Sequence, residues 1–315
     1  MIDYSLNSVY EAAAISKQAV WQHFRREAAH LELIDRLIGR VNERRAEHPG
    51  EGLEKLYWQL TPEGIGRDKF CRIFGQLGYG LKRPKNPVRT TIPAHKVFKN
   101  LIEARLVSGP NQVWQSDITY FKIGDNHYYL TFIIDVYTRR VIGWAASKSL
   151  RAEANIKALK MALKRFSQTS LQGCVHHSDR GTQYTDSRYL KLLREAELRI
   201  SMGKKATDNA FAERINGVIK NEYLIPWAPS SFRELGKRVK QAVSDYNTKR
   251  HHGALGRCCP VQFERKHQKL PTGQQRLEVI RSERTPHISK SALQGGLQQR
   301  LDSIKEHPYC IVNLN

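Results

Sequence analysis

Three acidic residues have the type and setting that phosphoryl chemistry needs. Asp117 falls inside a stretch rich in β-branched and aromatic residues, Val113 to Ile123, with Gln115 and Thr119 on its own face of a strand. A carboxylate in mid-strand beside a core is costly unless it is paired or bound to a metal ion. Asp179 lies just past the short apolar stretch Cys174 to His177, at a strand end of the kind where open α/β sheets place ligands. Arg180 and Gly181 follow, and glycine suits a tight turn there. Glu213 lies in a helical segment in which Asn209, Glu213, Asn216 and Lys220 are spaced 4, 3 and 4 and share one polar face. Phe211, Ile215 and Val218 take the opposite side. The other acid of this segment, Glu222, is nine residues further on and about 180° around the helix, so Glu213 is the better candidate. Carboxylates from a strand, a strand end and a helix can hold two Mg²⁺ ions, which favour carboxylate, water and phosphate oxygens. Two such ions activate the attacking oxygen and stabilise the leaving one in an in-line displacement. The chain carries 30 Asp plus Glu, so three acids alone do not select this reading over surface and ion-pair carboxylates.

The elements that would position these acids are legible from about residue 110. Val113 to Ile123, the nearly continuous apolar run His127 to Tyr137, and Val141 to Ala146 read as three strands joined by tight connections, an antiparallel meander. Ala152 to Phe166 is an amphipathic helix, with Ile156, Leu159, Leu163 and Phe166 in register. A strand at Cys174 to His177, a helix at Ser187 to Ala196, a strand at Arg199 to Met202 and a helix at Asp208 to Leu224 complete the order βββ-α-β-α-β-α, an α/β domain. Asp135, at a strand end before Tyr137-Thr138-Arg139, reads as a structural residue of the turn, or as a partner of an arginine.

Upstream the pattern is helical. Ser8 to Ala14 and Lys17 to Ala28 form two helices with a tight break, and Ser16 is the N-cap of the second. That is a helix-turn-helix candidate, in which Lys17, Gln18, Trp21, Gln22 and Arg25 would face a DNA groove or its phosphates; the alternative is a plain helical hairpin. A helix from about Leu31 to Arg45 follows. Its stripe Ile34, Leu37, Ile38 and Val41 is too short for a convincing coiled-coil seam and suits core packing. Leu53 to Leu60 and Gly66 to Leu77 form a second helical pair, with Arg67 and Lys69 early in its second helix. Lys82 to Arg89 (KRPKNPVR) has two Pro and four basic residues, an extended basic linker in which Lys82, Arg83 and Lys85 are further DNA-contact candidates. The division that results is 1–46, 47–88, 89–110, 111–265 and 266–315, the last being a tail that matches no pattern.

Charge points the same way. The 315 residues carry 52 Lys plus Arg and a formal charge of +22. The excess is spread as +6 over residues 1–110, +7 over 111–224 and +9 over 225–315. A chain basic in every segment suits a polyanionic partner along its whole length, although charge by itself does not choose among DNA, RNA and an anionic membrane. No apolar run is long enough to span a bilayer, and the first residues lack the pattern of a secretory signal. The five Cys, an odd number with no C-x-x-C pair, suit a reducing cytosol. His176-His177, His251-His252 and Cys258-Cys259 lack zinc spacing and read as structural.

Longer strings carry a family resemblance. WQSDITY (Trp114 to Tyr120), IDVYTRRVIGW (Ile134 to Trp144), HHSDRGTQYT (His176 to Thr185), SMGKKATDNAFAE (Ser201 to Glu213) and IKNE (Ile219 to Glu222) resemble an integrase core. Together with YNTKRHHGALGRCCPVQF (Tyr246 to Phe263), HPGEGLEKLYWQL (His48 to Leu60) and RTTIPAHKVFKNLI (Arg89 to Ile102), they are similar to the Asp-Asp-Glu transposases of bacterial insertion sequences, and most closely to the insertion-sequence-three family. The resemblance covers about residues 45–265. It implies a ribonuclease-H-like core, a mixed five-stranded sheet with flanking helices, preceded by all-α helix-turn-helix segments. It implies DNA strand cleavage and strand transfer at the ends of a mobile element, with Asp117, Asp179 and Glu213 as ligands of two Mg²⁺, replaceable by Mn²⁺. In that scheme Asp117 touches both ions.

Lys220 matches the basic position two turns after the glutamate. Two turns rise about 10.5 Å, too far to favour pairing with Glu213, so Lys220 and Arg180 read as DNA-backbone contacts, with Asn209 and Asn216 on the same face. The implied partners are double-stranded DNA, further copies of this chain on the DNA, and an upstream-frame product as fusion or companion; the implied location is the bacterial cytoplasm, at the nucleoid. One departure is that 33 residues separate Asp179 from Glu213, where the family pattern has two more; the shortening falls between Met202 and Asp208. Two alternatives share this fold: a catalytically silent repressor derived from a transposase, and a structure-specific nuclease.

Overall fold

Two short-range signals set the first helices. Helix α1 spans Leu6–Ala12 and α2 spans Lys17–Glu47. Ser16 caps α2 as expected, its side chain accepting a hydrogen bond from the Ala19 N–H at 3.1 Å. In this computed structural model, which describes residues 6–81, 97–203, 206–270 and 276–280, α2 runs 31 residues without a break. The helices expected over 17–28 and 31–45 are therefore one. The stretch between them, Ala29-His30, contains no Gly or Pro, and alanine is the strongest helix former, so nothing stops propagation. The second half of α2 packs Leu37 and Val41 against Leu56 and Leu60 of α3 (Leu53–Leu60) and Phe70 and Phe74 of α4 (Arg67–Phe74). The Ile34–Val41 stripe is thus a core face. The first half of α2 is exposed, Trp21 by 58% and Phe24 by 65%. Lys82, Arg83 and Lys85 lie outside the described residues.

The part of the chain after residue 105 is built on a five-stranded sheet. In chain order come β1 (Leu106–Val107), β2 (Val113–Ile123), β3 (Asn126–Asp135), β4 (Val141–Ser147), α5 (Glu153–Leu163), β5 (Val175–Ser178), α6 (Ser187–Glu195), β6 (Arg199–Met202) and α7 (Ala210–Val218). A wider, π-type turn, Ile219–Leu224, continues α7 into α8 (Ile225–Trp227), and α9 (Phe232–Thr248), α10 (Pro260–Gln268) and β7 (Glu278–Val279) follow. The sheet order is β4-β3-β2-β5-β6; β2 to β4 form the expected meander, and β5 and β6 run parallel to β2. β1 pairs with β7 in a separate small ribbon.

Strand alternation sends side chains to two cores. On one face Trp114, Ile133 and Ala145 meet Ala158 and Leu159 of α5 and Tyr189 and Leu193 of α6. On the other, Phe132 and Ile134 meet Ile215 of α7 and Val239, Ala242 and Tyr246 of α9. Gly143 lets α5 approach, since a Cβ there would overlap the Ala158 carbonyl. Helices on both faces of a mixed sheet in this strand order make a ribonuclease-H-like core. Among the described residues no helix is long and apolar enough to cross a membrane.

Candidate active site

The parallel ladder between β2 and β5 brings two of the acids together. It pairs Gln115 with His177 and Ser116 with Ser178. One residue past this last rung come Asp117, still on β2, and Asp179, just beyond the end of β5, and the two lie near enough for the charge of Asp179 to act on Asp117. Both side chains are half-buried. Asp117 accepts a 2.7 Å hydrogen bond from Asn216 Nδ2, and Asp179 Oδ1 accepts one from the Gly181 N–H at 3.0 Å. Gly181 has φ −60° and needs no left-handed backbone. Its value is close approach: a Cβ there would come within 3.1 Å of Asp179 Oδ1 and 2.9 Å of Gln183 Oε1.

The third acid rides on a helix fastened to the same strand. Gln115 Oε1 accepts from the N–H groups of Phe211 (3.1 Å) and Ala212 (3.3 Å), the free donors at the start of α7, and Gln115 Nε2 donates to the Asp208 carbonyl at 3.2 Å. Asn209 Nδ2 donates to the Ser116 carbonyl at 2.9 Å. Residues 115, 116 and 117 of β2 are therefore each bonded to the segment that carries Glu213. Glu213 itself is exposed, in the first turn of α7.

Electrostatics ties the three acids into one neighbourhood. Burial, then the charge of Asp179, and more weakly that of Glu213, push the Asp117 carboxyl well above the usual carboxylate range. Burial raises Asp179 too, and burial with both aspartate charges raises the Tyr184 phenol. An all-oxygen set whose members oppose one another's charge fits a hard divalent cation. The fit is open rather than closed, since among the described residues no three His, Cys, Asp or Glu side chains converge on one coordination point. Polar atoms nearby also await partners: Asn209 Oδ1, Asn216 Oδ1 and Arg180 Nε are buried without a protein hydrogen bond.

The other expected residues divide into groups. Asn209 and Asn216 share the Glu213 side of the helix and turn inward onto β2, where the Ser116 carbonyl and Asp117 take their amide protons. Lys220 is half-buried with Nζ 4.7 Å from the Tyr120 ring centroid, and burial lowers its pKa. Lys17, Gln18, Trp21, Gln22 and Arg25 are exposed on the first half of α2, with the Arg25 guanidinium 4.6 Å from the Trp21 ring centroid. Arg67 and Lys69 are exposed at the start of α4, Arg67 bonding Asp68 at 2.8 Å.

Asp135 closes its turn, accepting from the Thr138 N–H and Oγ1 and from the Asn111 N–H, each at 2.7 Å. His176 and His177 are buried against Tyr189 and Ser201. The sequence reading missed Gln115 as the cap of α7. Its signal is a glutamine two residues before an aspartate, on the same strand face.

An integrase core of this topology is matched by two family models described as integrase core domain, one over residues 107–207 and the other over 194–260. The insertion sequence element IS986/IS6110 protein of Mycobacterium tuberculosis is 31% identical over 265 residues, spanning 79% of this chain and 95% of that one. Transposase InsF for insertion sequence IS3A of Escherichia coli is 35% identical over 188 residues, 58% of this chain and 65% of that one. Among solved structures, the HTLV-2 integrase catalytic core domain superposes with 20% identity and a TM-score of 0.38, covering 50% of this chain and 97% of that one. The family models and the two transposase relatives define an integrase-core protein of the kind that acts in DNA transposition and integration. The chain belongs to the insertion-sequence transposases.

Proposed function

We propose that this transposase binds the terminal inverted repeats of its element and carries out metal-dependent strand cleavage and strand transfer at Asp117, Asp179 and Glu213. The observation that carries the reading is that the parallel ladder ends one residue before Asp117 and Asp179, whose charges interact, under a helix pinned to the same strand with Glu213 in its first turn. These three carboxylates would hold two Mg²⁺, with Mn²⁺ as substitute, and the ions when bound supply Lewis-acid stabilisation of the attacking and leaving oxygens.

The chain's own residues do the rest. Asn216 and the Gly181 N–H orient the two aspartates. Gln115 and Asn209 hold α7 in place. Lys220 and Arg180 are the cations for the phosphate backbone. The exposed basic face at the start of α2 and the start of α4 supply end binding. The partners are double-stranded DNA, as element ends and target, further copies of this chain on that DNA, and an upstream-frame product; the setting is the bacterial nucleoid.

The test is a labelled duplex carrying the element's terminal repeat, incubated with Mg²⁺, Mn²⁺ or EDTA beside Asp179→Asn. Cutting at the repeat that needs metal and Asp179, followed by joined ends, is the expected result. Cutting without joining, on duplexes that lack the repeat, would make the protein a nuclease. Tight binding with no cutting in any metal would make it a repressor.

A further inference from the structure

Away from the acidic site, buried charge concentrates where the helical segment meets the core. Arg44, near the end of α2, donates to Asp245 of α9 through both terminal nitrogens (2.6 and 3.1 Å) and to Glu51 through Nε (2.6 Å). His48 stacks on Tyr223 at 4.1 Å, with its Nε2 2.8 Å from Glu222. The Tyr223 hydroxyl donates to Asp245 at 2.7 Å. Arg250 forks onto Glu222 with two bonds of 2.7 Å, and Lys55 reaches the same carboxylate at 3.3 Å. Arg44, Lys55 and Arg250 thus balance Glu51, Glu222 and Asp245.

The backbone is committed at the same point. The Gly50 N–H donates to the Glu222 carbonyl at 2.8 Å. In an α-helix that carbonyl would be served by residue 226, which is proline and has no N–H. A Cβ on Gly50 would overlap the Glu222 Cα, so only glycine fits. Glu222 and Tyr223 lie in the π-type turn that continues the helix whose first turn holds Glu213.

We propose that this joint is a positioning device: docking of residues 44–55 on Glu222 and Tyr223 fixes the far end of the Glu213 helix and so sets Glu213 against Asp117 and Asp179. Gln115 and Asn209 hold the near end of that helix, and the joint holds the other. Arg44, His48, Gly50 and Glu222 touch no reacting atom and act through the helix. A buried ion network adds little stability over apolar packing of the same volume, but it demands one geometry, which is what a positioning contact needs. The catalytic half of this inference rests on the role proposed above for Glu213; the mechanical half does not.

The test uses the full chain with Gly50→Ala, which leaves every charge in place, and Glu222→Gln, which leaves the glycine contact. Circular dichroism first establishes that each variant is folded. Hydrogen exchange read by mass spectrometry over residues 210–228 is expected to quicken about tenfold or more, and by a larger factor than over residues 126–147. Binding to the terminal-repeat duplex stays near that of the parent, cleavage falls about 10- to 100-fold, and the Mg²⁺ concentration for half-maximal cutting rises. Unchanged exchange in both variants overturns the proposal, as does faster exchange with cleavage intact. If Glu222→Gln does not fold, Gly50→Ala decides. A parent that cuts nothing under any metal removes the proposed function and the catalytic half with it, while the exchange result still decides whether the joint holds the helix.

Discussion

At the scale of single residues, Asp117 occupies a position that is unfavourable to folding. It is a half-buried carboxylate facing Asp179 and Glu213, eased by the amide of Asn216. Asp117→Asn removes the repulsion and can still bond to Asn216. In EDTA its melting midpoint is therefore expected above that of the parent, by about 2–4 °C for each kcal/mol relieved. The upward shift that Mg²⁺ gives the parent should vanish in the variant, and so should cleavage. A variant that melts below the parent in EDTA would mean that the aspartate is not strained as its surroundings imply. Lys220 belongs to the same scale. Burial already lowers its affinity for a proton, against the favourable contact with the Tyr120 ring, which suits a cation that gains a phosphate partner only when DNA arrives. Lys220→Ala should weaken duplex binding about equally for all sequences and flatten the log–log salt slope by about 1; an unchanged slope would remove Lys220 from the interface. The acids could be singled out as candidates because each stands against its surroundings, a charge in a strand, a charge at a strand end, a polar stripe on a helix, but it was the longer family strings that preferred them to the other carboxylates. The inward turn of Asn209 and Asn216 was not legible. Helical spacing says which residues share a face and nothing about what that face meets.

At the scale of elements, Gln115 decides where α7 starts. It caps two N–H groups of the helix and reaches back to the Asp208 carbonyl. Gln115→Ala is expected to cost about 0.5–2 kcal/mol in urea unfolding, and to slow cleavage more than it weakens end binding, because the freed helix start carries Glu213. Equal losses in binding and cleavage would point to a general defect of folding instead. The strands around this helix were readable to the residue in places: β2 at Val113–Ile123 and β6 at Arg199–Met202 coincide with their β-branched and apolar runs. The errors have a common origin in helices. The segments read as helices over 17–28 and 31–45 are one helix, because Gly, Pro or a competing cap is what stops a helix and none stands at Ala29-His30 between them. The π-type turn at Ile219–Leu224 escaped because a 3.6-residue period was assumed throughout. The joint escaped for a different reason. His48 and Glu222 are 174 residues apart, and Arg44 and Asp245 are 201 apart, so no local pattern can announce either contact.

At the scale of the whole molecule, the positive charge spread over every segment and the few buried acids pull stability in opposite directions as pH changes, and the signs can be separated. The buried histidines His176, His177 and His252 are pushed down to about 3, 4 and 2 by loss of solvent, so folding holds them neutral. The unfolded chain takes up their protons first, and stability falls as pH drops below their ordinary value of 6.5. Asp117 and Asp179, held above their ordinary range, act in the reverse sense. Glu222 belongs with neither group. Burial opposes its charge, but the bonds from Arg250 and His48 and the charges of Arg250 and Lys55 outweigh that and hold it far below the ordinary 4.5. Glu51 is lowered in the same way by His48 and Arg44 against burial. A lowered acid contributes stability that is complete above 4.5 and drains away as pH falls from there toward its folded value. Subtracting the unfolding free energy of Glu222→Gln from that of the parent cancels His176, His177 and the aspartate pair, in whose shifts the Glu222 charge has no part. The difference is expected to be constant from pH 7 to about 5, amounting to about 3–5 kcal/mol for a broken buried pair, and to shrink steadily below 4.5. Urea unfolding at intervals between pH 7 and pH 3 measures it. A difference near zero at every pH would mean that the helical segment and the core are not held together through Glu222.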